Sequence, residues 1–290
     1  MKFRRSQLLF AILMLGALMF SAAPARDHKH EDARVRLPFE PAEELVYEGE
    51  LSRSLLRGID IADLRFTAAR TTDDAAANDK DGHGNAESRL RFTAEAVTKG
   101  LFRKLFGLRF RLNIESTVEP STFTVLQTTK LDEQGDRQRE SKAVFDKGAG
   151  KVVWTERDPK DPSREPRVVT SEFSGAAQDV VSVFYFLRTQ PLAPGKRFEL
   201  TVSDSGRVYR IPVVVVERKK MKTVLGEVST LRVDPELFGE GRLVPGKGKI
   251  SVWLTDDARH IPVHARISND RGTINIKLKS MTNGTPAKVK

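Results

Sequence analysis

The sequence predicts a mainly β protein: one curved antiparallel sheet or open β-barrel holding one short buried helix. Three observations carry this. Apolar residues recur with period two over most of the chain, turn-forming clusters separate the periodic runs, and a single segment is apolar nearly all round a helical wheel. The 290 residues are 39% hydrophobic and 30% charged, a soluble globular balance. A chain of this size buries roughly 75% of its unfolded surface, so its core needs no cross-link. There is no cysteine, which excludes disulfides, thiolate metal sites, cysteine nucleophiles and a lipid anchor on an N-terminal Cys.

Taken in order, the chain opens with Lys2, Arg4 and Arg5, followed by 13 unbroken apolar positions from Leu8 to Phe20 and the small residues of Ser21-Ala-Ala-Pro-Ala25. This is the pattern of a secretory signal peptide over residues 1–25, cleaved before Arg26. The apolar run is shorter than the roughly 20 residues a bilayer requires. Arg4-Arg5 lacks the flanks of a twin-arginine signal, so general secretion to the periplasm is expected. Removing residues 1–25 leaves a net charge of +7 from the full chain's +10. For an exported protein that charge suits an anionic envelope surface rather than nucleic acid. Residues 26–38 read as a disordered leader, 39–282 as one β domain and 283–290 as a disordered tail.

Within the domain, Leu64, Phe66 and Ala68 alternate with Arg65, Thr67 and Ala69, and Leu90, Phe92 and Ala94 with Arg91, Thr93 and Glu95. The same pattern runs through Leu108–Glu115, Ile261–Ser268 and Ile274–Lys279. Successive side chains on a strand point to opposite faces, so each run has one dry and one wet face, as antiparallel sheets allow. Residues 71–88 and 158–166 read as surface loops, and 133–136, 203–206 and 269–272 as hairpin turns. About a dozen strands are implied, more than an open sheet carries without curling. The exception to the period is Ala176–Arg188, stopped before Pro191, where Val180, Val181, Val183, Phe184, Phe186 and Leu187 cover most of a helix surface. Such a helix has to be buried. Val181, Phe184 and Tyr185 are expected to line the interior.

Three motifs together resemble exported bacterial proteins of domain-of-unknown-function family 3108: Glu44-Leu-Val-Tyr-Glu-Gly49, Asp179–Arg188, and Val252-Trp-Leu-Thr-Asp-Asp257 before Ile261-Pro-Val263. The likeness spans Phe39 to Met281. It implies an exported sheet-dominated domain without assigned activity, and supplies no catalytic residues. Similar curved sheets closed around a helix occur in periplasmic lipoprotein-carrier folds, which hold acyl chains, an analogy of fold alone.

Chemistry-bearing patterns are few. Gly241–Gly248 resembles a phosphate loop but has Gly248 where the metal-binding hydroxyl belongs, and leads into a strand. Of the five histidines, His260 and His264 share a strand face in this reading, yet lie roughly 13 Å apart, too far for one metal. Asp256-Asp257 reads as a turn. Neither a Gly-x-Ser-x-Gly elbow nor a Ser-x-x-Lys pair occurs. No catalytic residue, metal or cofactor is therefore expected. The most suggestive stretch is Leu101, Phe102, Arg103, Lys104, Leu105 and Phe106, which as an amphipathic turn suits lipid tails and head groups. In the plainer account those apolar side chains cap the core. The leading expectation is non-catalytic binding of an apolar or acyl ligand inside the sheet. The alternative is an envelope interaction protein that uses a basic sheet face and has no ligand cavity. Oligomeric state stays open.

Overall fold

The computed structural model describes residues 37–40, 42–53, 56–72, 88–100, 103, 107, 109–270 and 272–283. The expected signal peptide, most of the leader and nearly all of the tail lie outside them. The first eight strands are β1 (Glu43–Arg53), β2 (Leu56–Thr72), β3 (Ser88–Thr98), β4 (Phe110–Glu119), β5 (Thr124–Gln134), β6 (Arg137–Asp146), β7 (Lys151–Arg157) and β8 (Arg167–Glu172). A three-residue strand, β9 (Ala177–Asp179), leads into the helix α1 (Ser182–Arg188). The remaining strands are β10 (Arg197–Asp204), β11 (Arg207–Thr223), β12 (Gly226–Pro235), β13 (Gly248–Thr255), β14 (Pro262–Asn269) and β15 (Gly272–Asn283).

All fifteen form one sheet in the order β8 to β1, then β15 to β9. The chain thus walks outward from the middle along one wing, crosses through α1, and walks back along the other, where β15 pairs with β1. Every pairing is antiparallel except β9 with β10. The expected alternation is realised in β2, β3 and β15, where Leu64, Phe66, Leu90, Phe92, Ile274 and Ile276 are buried on the inner face. At the start of β14 it breaks, since the register shifts opposite Trp253 and Leu254 and Pro262 is buried together with Ile261 and Val263. The hairpin turns fall between β5 and β6, β10 and β11, and β14 and β15.

A sheet this wide has to curl, and its two ends overlap rather than pair. The β9 edge lies on the inside of β5, where the Gln178 side-chain amide donates to the Phe123 carbonyl at 3.0 Å. The turn between β10 and β11 docks on the inner side of β7 and β8, and the Ser171 hydroxyl donates to the Gly206 carbonyl at 2.7 Å. At position 206 only glycine fits that turn. Gly206 has φ of +76°, and a Cβ there would stand 2.7 Å from the Val169 Cβ and 2.9 Å from the Trp154 Cβ. The result is an open, barrel-like sheet whose seam is closed by side-chain contact.

The helix is shorter than expected. Ala177–Asp179 adds to β10 as a strand, and Asp179 then holds the start of α1, its Oδ1 accepting the backbone N–H of Val181 at 2.8 Å and of Ser182 at 2.7 Å. Helical periodicity cannot distinguish a buried helix from a buried strand leading into it. His260 is also displaced from its expected place: it precedes β14, in the left-handed region with φ of 43°, so it shares no strand face with His264.

Candidate functional site

The interior beneath α1 is built from aromatic rings. Phe184 stacks on Phe66 at 4.3 Å, Tyr185 stacks on Phe92 at 4.1 Å, and Phe39 meets Tyr185 edge-on at 5.1 Å. Val181, Phe184 and Tyr185 are at most 1% exposed. Phe184 and Tyr185 meet Tyr47 of β1, Phe66 of β2 and Phe92 of β3 there. The Tyr185 hydroxyl is buried without a hydrogen-bond partner among the described residues.

Each end of the helix carries a buried charge. At the C-terminal end, the Arg188 guanidinium grips both carboxylate oxygens of Glu43, donates to the Pro38 and Arg259 carbonyls, and lies 5.4 Å from the Phe39 ring centroid. Both side chains are at most 1% exposed. At the N-terminal end, Asp179 Oδ2 accepts from the Ser116 and Thr128 hydroxyls. Beside it, burial pushes the Asp204 carboxyl up from the usual carboxylate range. The Lys130 ammonium at 3.9 Å pulls it down, and Asp179 adds to the upward push. The space among Thr128, Lys130, Ser141, Asp179 and Asp204 is about 30 Å³, room for one water.

A far larger concavity lies on the other side of the same strands. It has a volume of about 670 Å³ and is formed by the outer face of β4, β5, β6 and β7. Its apolar floor is Leu131, Val144 and Val153, with Val144 and Val153 directly paired across β6 and β7. They are 45% and 41% exposed, among the most exposed large apolar side chains described. The walls are polar and of both signs: Asn113, Thr129, Thr155, Glu115, Lys142, and Glu140, which accepts from Arg157 Nη2 at 2.7 Å. Sequence periodicity overlooked this groove. The available signal was a breach of alternation: Ala143-Val-Phe145 and Val152-Val-Trp154 are apolar at the wet phase as well as the dry one.

Nearby charges elsewhere compensate one another. Glu48, Glu50 and Asp60 bring carboxylate oxygens within 4.8 Å of one another. Lys279 donates to Glu48 at 2.7 Å, Lys99 also binds Glu48 and lies 3.6 Å from Asp60, and Lys277 donates to Glu50 at 2.6 Å. The hydrogen bonds from Lys279 and Lys99 hold Glu48 down at about 2.

A protein-family model described as "Protein of unknown function (DUF3108)" matches residues 62–279. The chain belongs to this family. No curated protein matches the sequence. Among solved structures, the DUF3108 chain is similar to a β-barrel-like protein of domain of unknown function DUF1849 from Brucella abortus. That match has 12% identity and a TM-score of 0.51, over 84% of this chain and 98% of that one. A second match is a protein with a YmcC-like fold from Bacteroides fragilis NCTC 9343, at 8% identity and a TM-score of 0.31, over 85% and 98%. The first likeness concerns the fold alone.

Of the amphipathic stretch, Arg103 is exposed. Leu101, Phe102, Lys104, Leu105 and Phe106 lie outside the described residues. Asp256 and Asp257 form the expected turn, Asp256 pairing with Arg218 and Asp257 with Arg259. Residues 241–247 form a loop, and Gly248 opens β13. His260 Nδ1 lies 3.0 Å from the Arg188 carbonyl, and His264 Nε2 lies 3.3 Å from Asn275 Oδ1.

Proposed function

We propose that this is an exported, non-catalytic interaction protein of the cell envelope that binds a protein partner through the groove outside β4–β7. Export rests on the signal-peptide pattern of Lys2 to Ala25. The observation that carries the groove reading is the contrast between its apolar floor and the ring-filled interior. Three apolar side chains occupy positions where the fold needs none, whereas the volume under α1 is taken up by Phe66, Phe92, Phe184 and Tyr185. An acyl chain held inside the sheet would have to displace those rings. Walls carrying both signs suit a protein surface better than a uniformly charged polymer.

Native mass spectrometry of the protein from its own envelope, followed by cross-linking, tests this. A stoichiometric protein partner cross-linked beside β6 and β7, and lost in Val153→Glu, is the expected result. Co-purification with lipid and no groove cross-link overturns it in favour of the acyl reading.

A further inference from the structure

The second surface feature lies on the opposite wing and is independent of the groove. β10 pairs with β11 only over Arg207–Val214, and β13 pairs with β12 only over Thr230–Val233. From Lys219 to Val228, therefore, β11 and β12 pair only with each other and leave the sheet as a two-stranded ribbon. The ribbon turns at Val224-Leu225 and is closed by Gly226, which pairs with Thr223 and has φ of +91°, a conformation that glycine tolerates. The β11 arm reads Arg218-Lys-Lys-Met-Lys222.

Two of those four cations are unspent. Arg218 pairs with Asp256, and Lys220 lies 3.7 Å from Glu227 with its own side chain 79% exposed. Lys219 and Lys222 are exposed and have no carboxylate within ion-pair distance among the described residues. Arg218, Lys220 and Lys222 alternate, so they share one ribbon face at intervals of roughly 6.6 Å. At the tip, Val224 is 54% exposed, while Met221 and Leu225 turn back and pack against the core.

We infer that the β11–β12 ribbon docks the protein on an anionic lipid surface, the lysines meeting head-group phosphates and Val224 entering the interface. A line of cations alone would suit any polyanion. The exposed apolar tip beside it favours a bilayer, because free phosphate or a nucleic acid backbone offers Val224 nothing. Charge attracts the ribbon and the tip adds burial that salt does not screen.

The test is co-sedimentation of the purified protein with vesicles of phosphatidylglycerol in phosphatidylcholine, against phosphatidylcholine alone, with dextran sulfate as a soluble competitor. Binding is expected only with the anionic lipid, weakening as salt rises to about 0.5 M. Each lysine near such a surface contributes roughly fivefold, so Lys220→Ser with Lys222→Ser, both on that face, should lower affinity about 25-fold, and Lys→Arg at both positions should preserve it. Val224→Asp should weaken the residual high-salt binding. Unchanged thermal midpoints establish that these exposed substitutions leave the fold intact. Equal binding to both vesicle types, an unaffected serine double variant, or capture by dextran sulfate as tight as by vesicles overturns the inference.

Discussion

Val152 and Val153 are neighbours on β7, yet one is fully buried and the other is 41% exposed. Val152 lies beside Trp154 on the inner face, where the β10–β11 turn closes the seam. Val153 points the opposite way, to the groove floor, and no element among the described residues covers it. The same residue type on the same strand therefore answers to two demands. Inside, valine is required by packing. Outside, folding would be satisfied by a polar side chain, so an apolar one needs another reason. The comparison separates residues that make the fold from residues the fold merely presents.

The sharpest probe of the inner face is Arg188. It is fully buried, and removing it would leave the Glu43 carboxylate in the interior without a counter-charge. Arg188→Met should cost about 3–5 kcal/mol in denaturant unfolding, because an uncompensated buried charge is more costly than an absent pair. Adding Glu43→Met should recover much of that loss. A loss under about 1 kcal/mol for Arg188→Met alone would show that the pair closes no part of the interior, and that the inner face is held by its rings.

How much of this was legible beforehand follows the same division. The inner face could be read because period two is imposed by backbone geometry: Leu90, Phe92 and Ala94 had to point one way together. The helix is located but overextended, since Ala177-Gln-Asp179 carries no pattern that separates the two states and only its pairing with β10 decides. The Arg188–Glu43 pair was invisible, the partners being 145 positions apart. The groove was hidden for a different reason. Its residues come from four strands, and Val144 meets Val153 only through the β6–β7 register, which no local pattern fixes.

A smaller effect probes the outer face of the other wing. His264 lies against Trp253 with ring centroids 4.8 Å apart. Burial brings its pKa down from 6.5 to about 4; the Asn275 hydrogen bond opposes this, while Arg266 and Lys277 reinforce it. Between those two values the unfolded chain binds the proton and the folded chain does not. Stability is therefore present above about pH 6.5 and falls as the pH drops toward 4. Allowing for the partial exposure of the ring, roughly 1–2 kcal/mol should be lost across this window. His264→Phe keeps the stack and should flatten that part of the profile. An unchanged slope would assign the acid sensitivity to the carboxylates instead.

The smallest effect is the one that decides what the groove is for. Val144→Ser with Val153→Ser removes the apolar contact across β6 and β7 on the outer face, where both side chains already meet water. If the floor exists only to receive a partner, the double variant should unfold within about 0.5 kcal/mol of the parent, as exposed substitutions generally do. It should also lose the cross-links beside β6 and β7. A loss of about 2 kcal/mol or more would mean that the pair stabilises the sheet's outward bend, making the groove a by-product of curvature. Stability retained together with partner capture would place binding elsewhere on the surface. Only stability retained with capture lost assigns these valines to the partner rather than to the fold.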